Sequence, residues 1–278
     1  MTEAQPHTRF DKARDELIAR TPNSAKASAR AANSLAMEVV QTVVMPHPLY
    51  IERADGGRLT DVDGNVFIDL TGGFGPNVLG NRPEAVQQAL ADQIERGWHW
   101  GIHNPLQADL AELISEAGAC VDTVAFTNSG TEATMHATRL ARAHTGKNKV
   151  ALFDGCYHGV HDYALSRVDE KSPRKQPTAV TIGNGIPESI TRDTTLMLPY
   201  RDENAFELIR QNRDDLALVL VEPVQSSNPR LDNKEFLGEL IEVGRENGVL
   251  VLFDEVITGF RIEYGAVSYT HLTLPTKA

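Results

Sequence analysis

Apolar runs alternate with amphipathic stretches along the second half of the chain. The runs 149–153, 219–221 and 250–253 are rich in branched apolar residues, a composition typical of buried strands. Between the last two runs, apolar residues recur at the spacing of one helical face, at Phe236, Leu237, Leu240 and Ile241. A strand, a helix and a second strand in this order predict two parallel strands joined by a crossover helix. We therefore expect an α/β fold.

The residues around position 130 have the composition of an anion-binding helix start. The apolar run 123–127 predicts a short buried strand. The helix predicted after it has apolar positions at Ala133, Ala137, Leu140 and Ala141. Between them Ser129 can cap the helix, Gly130 lets the backbone approach a ligand, and Thr131 adds a second hydroxyl. Free N–H groups and the helix dipole favour an anion there, although an ordinary N-cap has the same residues.

Two further features follow predicted strands. Asp254 comes directly after the run 250–253, and ligands of open parallel sheets bind at the carboxyl ends of the strands. The sequence Gly-Cys-Tyr-His-Gly at 155–159 follows the run 149–153 and places two aromatic rings between glycines. Each feature has a simpler explanation, because Asp254 could be a cap or loop residue and Tyr157 a lid on the core. Their order along the chain favours a shared ligand site.

The first 100 residues have a different pattern. Alternation between positions 49 and 70, with Asp63 and Gly64 as a turn, predicts a β-hairpin or a small meander. The stretch 82–97 predicts an amphipathic helix. Residues 24–32 are small and basic and predict a helix. Acidic residues near the N-terminus are unusual for a transit peptide, so we expect an N-terminal helical arm.

Composition excludes several classes of protein. A net charge of −11 disfavours a nucleic-acid surface, and no apolar stretch approaches eighteen residues, so no membrane span is predicted. Cys120 and Cys156 could pair, but a cofactor-enzyme pattern without a signal peptide favours reduced thiols in the cytoplasm. A dinucleotide-binding protein is disfavoured because no G-x-G-x-x-G pattern follows an apolar run. No metal site is predicted.

Five segments, taken in order, resemble the class III aminotransferases, pyridoxal-phosphate enzymes of fold type I. The likeness is strongest to glutamate-1-semialdehyde aminomutases and to aminotransferase modules of polyketide and peptide synthases. The shared segments are 61–65, 128–133, 155–159, 221–225 and 253–261. The resemblance covers about residues 49–266 and implies a fold type I large domain, with a mixed, mostly parallel sheet and flanking helices, that is incomplete.

The resemblance assigns cofactor contacts to positions of this chain. Asp254 is expected to pair with the ring nitrogen of pyridoxal 5'-phosphate and keep it protonated, which makes the ring an electron sink. Tyr157 and Val256 are expected on opposite faces of the ring. The phosphate is assigned to Ser129, Gly130 and Thr131. The remaining contacts are assigned to Gln225 at the ring hydroxyl, Glu222 beside it, and His158, which fits a structural role equally well.

Two positions concern the substrate and the covalent attachment of the cofactor. Phe74 is a substrate-contact candidate in a glycine-rich segment that lines the pocket in relatives. The Schiff-base lysine was not found where the resemblance requires it. Lys277 is too close in sequence to Asp254 and lacks the glycine-rich turn after it. Residues 267–278 are expected to be a foreign or artefactual tail.

The resemblance also implies domain bounds and a function. We expect an N-terminal helical arm at 1–48, the N-terminal part of a small domain at 49–100, and a partial cofactor-binding large domain at 101–266. The expected function is transfer of an amino group between an amino donor and a carbonyl acceptor, in a cytoplasmic homodimer, with the fragment inactive alone. Two alternatives are glutamate-1-semialdehyde 2,1-aminomutase and a non-catalytic fragment that binds the cofactor.

Overall fold

The computed structural model describes residues 8–35, 47–118, 120–261 and 264–265. The chain divides into two compact units, and the boundary falls between Gly101 and Ile102. Lys277 and the whole of 267–278 lie outside the described residues. In the described part of the chain, every helix falls short of the length or the apolar character that a bilayer crossing requires.

Among the residues that the structure describes, the first unit contains a three-stranded antiparallel meander and three helices. Its strands pair in the order β1-β2-β3, which confirms the meander predicted between positions 49 and 70. Gly64 has a φ of +83° in the turn between β2 and β3, a conformation that glycine adopts without strain. In chain order the elements are α1 (Arg9–Arg20), α2 (Pro22–Ala31), β1 (Ile51–Asp55), β2 (Arg58–Asp61), β3 (Val66–Ile68) and α3 (Glu84–Arg96).

The turn of the meander caps the second helix of the arm. The backbone N–H groups of Asn23 and Ser24, in the first turn of α2, donate to the two carboxylate oxygens of Asp63 at 2.8 and 3.0 Å. Asp61 is fully buried and shapes this turn, since its Oδ1 accepts hydrogen bonds from the N–H groups of Asp63 and Asn65. The helix predicted over residues 24–32 corresponds to α2, which is attached to the meander within the same unit.

The second unit is an α/β layer structure around a four-stranded parallel sheet. Its strand order is β7-β4-β8-β9, and a separate antiparallel pair is formed by β5 and β6. The elements are α4 (Pro105–Ala117), α5 (Gly130–Thr145), β4 (Lys149–Phe153), β5 (Ser166–Val168), β6 (Ala179–Thr181), α6 (Glu188–Thr194), β7 (Thr195–Leu198), α7 (Asn204–Asn212), β8 (Leu216–Val221), α8 (Lys234–Glu246) and β9 (Leu250–Phe253). The predicted parallel β8–α8–β9 unit is therefore confirmed.

Both faces of this sheet are covered. All six residues of β8 are buried, as expected for a central parallel strand. Leu216, Val219 and Val221 pack with α7 and α8 in one core cluster. Ala217, Leu218 and Leu220 pack in a second cluster that includes a residue of α5. The sheet is therefore held between helices on its two faces.

The strand order creates a switch point beside β4. The chain passes from β4 to β7 on one side and then returns to β8 on the other side of β4. The loops after β4 and β8 therefore leave neighbouring strand ends in opposite directions. A crevice forms at such a point in open α/β sheets, and ligands bind there.

Two predictions about the segment around position 130 were wrong. Residues 123–127 are irregular and mostly exposed, because no strand of the described residues pairs with them. The buried face of α5 consists of Thr134, Thr138 and Ala141, while the predicted core residue Leu140 is 69% exposed. The threonine hydroxyls are polar, so a search for apolar spacing counted these positions as solvent-facing.

Candidate cofactor site

Hydrogen bonds connect the loop that follows β4 with the loop that follows β8 at the switch point. Glu222, the first residue after β8, is buried, and its Oε2 accepts a hydrogen bond from the backbone N–H of Tyr157 at 3.1 Å. Gln225 Nε2 donates to the backbone oxygen of Asp154 at 2.7 Å. Ser227 Oγ donates to the backbone oxygen of Gly155 at 2.7 Å. These bonds fix the position of the segment 155–159 over the strand ends.

A buried carboxylate and imidazole pair lies at the end of β9. Asp254 is 8% exposed and His158 is 2% exposed. Asp254 Oδ2 lies 2.9 Å from His158 Nδ1, and Asp254 Oδ1 accepts a hydrogen bond from the backbone N–H of Val256 at 3.2 Å. The backbone N–H of Asp254 donates to the oxygen of Val221 at 2.8 Å and so extends the β8–β9 ladder by one residue. The carboxylate is thus held by two hydrogen bonds, and the backbone of Asp254 by a third.

The N-terminus of α5 has the features of an anion site. Ser129 is the N-cap, with extended backbone, and its Oγ accepts a hydrogen bond from the N–H of Glu132 at 3.2 Å. Glu132 Oε2 accepts from the N–H of Asn128 at 2.7 Å. The N–H groups of Gly130 and Thr131 make no hydrogen bond to any described residue. Two donors and the positive end of the dipole are therefore available to a ligand.

Three close approaches join this helix end to the rest of the site. A Cβ placed on Gly130 would lie 2.9 Å from Val256 Cγ2, so a larger residue there would require the Val256 side chain to move. A Cβ placed on Gly159, whose φ is +99°, would lie 2.5 Å from Thr131 Oγ1. Thr131 Oγ1 accepts a hydrogen bond from the backbone N–H of Val160 at 3.2 Å. The end of α5, the loop after β4 and the segment after β9 therefore form one site.

Exposure divides the site into a buried polar part and an accessible part. Asp254, His158, Glu222 and Gln225 are buried. The accessible side chains of the same segments belong to Ser129, to Tyr157 at 59% exposure and to Val256 at 68%. An aromatic ring, a branched apolar side chain and a capping hydroxyl are thus open to a ligand.

Two further ionisable groups under this site stay neutral near pH 7. Burial raises the pKa of the Cys156 thiol to about 12, and its Sγ lies 3.5 Å from Gln225 Nε2. Burial, with the charges of Cys156 and Glu222, raises the pKa of Tyr200 above its usual value. Tyr200 instead donates its hydroxyl hydrogen to the backbone oxygen of Glu222 at 2.8 Å. Cys156 is therefore a half-buried thiol whose raised pKa disfavours the nucleophilic thiolate.

Nine of the residues named from the sequence lie in this one site. They are Ser129, Gly130, Thr131, Tyr157, His158, Glu222, Gln225, Asp254 and Val256. Phe74 belongs to the first unit, where it is 59% exposed with a φ of +65°. Sequence patterns missed Thr134, whose hydroxyl lies 2.7 Å from the backbone oxygen of His158. The pair Thr134 and Thr138, four residues apart on α5, is the signal that could have revealed it.

Comparison with known proteins identifies the family of this fold and site. The family model "Aminotransferase class-III" matches residues 39–267. The glutamate-1-semialdehyde 2,1-aminomutase of Ignicoccus hospitalis is 42% identical over 228 residues, which is 81% of this chain and 53% of that protein. The corresponding protein of Methanocaldococcus jannaschii is 41% identical, over 79% of this chain and 51% of its own. The chain thus spans about half the length of these curated relatives.

The solved structures agree with the sequence comparison. An omega-transaminase from Sphaerobacter thermophilus superposes with a TM-score of 0.82 at 33% identity, over 90% of this chain and 59% of that one. A structure described as a transaminase with PLP bound has a TM-score of 0.81 at 30% identity, over 91% of this chain and 59% of that one. These matches confirm the expected fold type I architecture and its incompleteness relative to the neighbours. The chain belongs to the class III aminotransferases, a family of pyridoxal-phosphate-dependent enzymes.

Proposed function

We propose that this chain binds pyridoxal 5'-phosphate, and that the protein to which it belongs moves an amino group between a small amino donor and a carbonyl acceptor. The main support is the close approach of Gly130 to Val256. It brings the anion-binding end of α5 beside the segment that starts with the buried carboxylate of Asp254. One ligand with a phosphate and a protonated ring nitrogen requires two such sites next to each other.

The residues at the end of α5 fit a phosphate group. Ser129 Oγ and Thr131 Oγ1 each accept a hydrogen bond from a backbone N–H, so each hydroxyl keeps its own hydrogen to donate. With the backbone N–H groups of Gly130 and Thr131, they offer four donors to phosphate oxygens. The helix dipole adds its positive end to the same place.

The buried pair fits the ring of the cofactor. Asp254 has acceptor capacity beyond its bonds to His158 and Val256, because a carboxylate has about four lone-pair sites. We assign it to the ring nitrogen, whose proton it would hold in place. When bound, the cofactor supplies an electron sink for the carbanion at the substrate carbon. Tyr157 and Val256 are assigned to the two ring faces.

The loop after β8 has a supporting role in this assignment. Gln225 is assigned to the ring hydroxyl, and its Nε2 is already bonded to the oxygen of Asp154. Glu222 holds the backbone of Tyr157, so it orients the residue that covers the ring. His158 is assigned to Asp254 rather than to the cofactor, because its Nδ1 lies 2.9 Å from that carboxylate.

Ligand titration of the purified chain tests this proposal. We expect pyridoxal phosphate to bind at least about tenfold more tightly than pyridoxal, which is about 1.4 kcal/mol, because pyridoxal lacks the phosphate. Asp254→Asn should weaken binding of pyridoxal phosphate, while Asp193→Asn, on the exposed side of α6, should leave it unchanged. Equal affinities for the two compounds, together with no effect of Asp254→Asn, would contradict the proposal.

The aminomutase reaction is a second candidate within the same family. It is favoured by the sequence relatives, which are named glutamate-1-semialdehyde 2,1-aminomutase at about 40% identity. The transaminase reaction is favoured by the solved transaminase structures. A full-length protein that consumes glutamate-1-semialdehyde without a second substrate is an aminomutase. One that needs both a donor and an acceptor is a transaminase.

We also infer a cytoplasmic homodimer for the full-length protein, with small molecules as its substrates. The chain itself is proposed to bind the cofactor without catalysing transfer, because the expected Schiff-base lysine was not found. Sedimentation of the chain with and without pyridoxal phosphate measures its association. Turnover of an amino donor by the purified chain would contradict the assignment as a non-catalytic fragment.

A further inference from the structure

Several buried polar atoms line the contact between α5 and the loop after β4. Thr138 Oγ1, His158 Nε2, both ring nitrogens of His161 and one terminal nitrogen of Arg142 are buried without a hydrogen-bond partner among the described residues. Thr138 and His158 are each 2% exposed. Buried polar groups of folded proteins are nearly always hydrogen-bonded to protein or to ordered water. This group of atoms therefore needs an explanation.

Neighbouring contacts place these atoms along one stretch of the interface. At its start, the hydroxyl of Thr134 lies 2.7 Å from the backbone oxygen of His158. Two turns later on α5, the guanidinium of Arg142 lies 4.0 Å over the ring of Tyr163. The loop 158–163 therefore runs beside the helix from Thr134 to Arg142. Thr138 lies one turn from each of these two residues.

The charges around His161 agree with this arrangement. Burial lowers the pKa of His161, and its electrostatic interactions with His158 and Arg142 lower it further, while Asp162 opposes them. The rings of His161 and Tyr163 have centroids 6.3 Å apart. His161 thus lies in the same stretch of the interface as Thr138.

The donor and acceptor types are complementary around a bridging molecule. If His158 Nδ1 donates to Asp254 Oδ2, its Nε2 is an acceptor and needs a donor. The Thr138 hydroxyl and the terminal nitrogen of Arg142 can donate. Water both donates and accepts, and polar sites with two to four partners are where buried water occurs.

We propose that ordered water occupies the interface between α5 and the loop 158–163, bonded to His158 Nε2 and Thr138 Oγ1 and reaching His161. Thr138 and His161 are then positioning residues, because they act on Asp254 through the orientation of the His158 ring. The water site concerns the chain without cofactor. Its importance for cofactor binding rests on the proposed function.

Nitrogen NMR of the histidine-labelled full chain, without cofactor, tests the water site. His158→Gln and His161→Gln assign the two sets of ring signals. In the unmodified chain we expect the His158 Nε2 resonance at the position of a hydrogen-bonded acceptor, with magnetisation transfer from water to the protons of that ring. Thr138→Val should move the Nε2 resonance toward that of a free acceptor. Thr138→Ser keeps the hydroxyl and should restore the original position.

Thr191→Val is the matched control, because Thr191 is also 2% exposed and its hydroxyl also lacks a partner among the described residues, but it lies on α6. It should leave the His158 signals unchanged. A free-acceptor Nε2 resonance in the unmodified chain would overturn the proposal, even if Thr138→Val does not fold. Identical His158 signals with and without the Thr138 hydroxyl would also overturn it. Titration with pyridoxal phosphate is a separate measurement. An interface without water would therefore leave the proposed function unaffected, and a failure to bind pyridoxal phosphate would leave the water site unaffected.

Discussion

Gly159 fixes the distance between the loop after β4 and the first turn of α5. Its φ is +99°, and a Cβ at this position would lie 2.8 Å from the Cα of Thr131. A backbone atom cannot move aside as a side chain can. The position therefore combines a conformation that favours glycine with a contact that excludes any larger residue.

Gly159→Ala is expected to destabilise the second unit more than Gly183→Ala does. Gly183 has a similar φ of +86°, but a Cβ there would meet no atom within 4 Å. The control variant Gly183→Ala should therefore lose stability only through backbone strain, by about 1–2 kcal/mol. Overpacking against Thr131 should add about 1–3 kcal/mol at Gly159. Urea unfolding of the two variants measures the difference, and equal midpoints would show that the loop moves away without cost.

The convergence of the six site residues that follow β4, β8 and β9 was predictable because the carboxyl ends of parallel strands meet at one edge of the sheet. Their hydrogen bonds were not. The Thr134 contact to His158 depends on how closely α5 approaches the loop, and no local pattern contains that distance. Phe74 illustrates the opposite limit, since the resemblance names it as a substrate contact but it belongs to the first unit, while Lys277 lies outside the described residues.

At the scale of elements, continuous apolar runs predicted β4 and β8 because these strands are buried in a parallel sheet, and they also predicted β9, which is only partly buried. The run 123–127 has a similar composition but forms no strand. A strand needs a partner, and apolar composition alone does not supply one. For α5, sequence periodicity predicted the helix correctly and included the buried Ala141, but it also included the exposed Leu140 and missed Thr134 and Thr138, whose side chains are polar.

Two leucines test the observed helix faces. Leu240 of α8 is fully buried in the first core cluster, whereas Leu140 of α5 is 69% exposed. We expect Leu240→Ala to lower the free energy of unfolding by about 2–5 kcal/mol through loss of burial and cavity formation. Leu140→Ala should change it by about 0.5 kcal/mol or less. Comparable losses in chemical denaturation would show that Leu140 is covered in solution.

The cap of α2 makes the first unit sensitive to acid. Partial desolvation raises the pKa of Asp63, but hydrogen bonds from the N–H groups of Asn23 and Ser24 outweigh it, so the pKa lies below its ordinary value. A lowered pKa means that the stabilisation is present above the pKa of the unfolded chain, about 3.9, and is lost as the pH falls through the folded value.

Asp63→Asn is therefore expected to lower the thermal midpoint at neutral pH, and the gap from the unmodified chain should close below about pH 4. Asp92→Asn removes a carboxylate from the exposed side of α3 and serves as the matched control. It should show little effect at any pH. A gap for Asp63→Asn that stays constant down to acidic pH would mean that the charge of Asp63 plays no part in capping the helix.

At the scale of the whole molecule, the main question is whether the chain holds its cofactor covalently. We expect borohydride reduction of the chain with pyridoxal phosphate, followed by peptide mapping, to give no specific lysine adduct. Lys277 is too close in sequence to Asp254 to match the family's lysine segment. A full-length class III aminotransferase treated in parallel should give one adduct and is the positive control. A stoichiometric adduct on Lys277 would overturn the expectation and make this chain a candidate enzyme by itself.

The small buried threonines of α5 determine how far apart the two ends of the site lie. Thr134 and Thr138 are small, so the helix lies close to the loop after β4 and its first turn comes to rest at a fixed separation from Asp254. Leucines in their place would push the helix outward and lengthen the span between the two ends of the site. Under the proposed function, this separation has to match the distance from the phosphate to the ring nitrogen of the cofactor, and we expect a compound with a longer or shorter phosphate arm to reach only one end of the site.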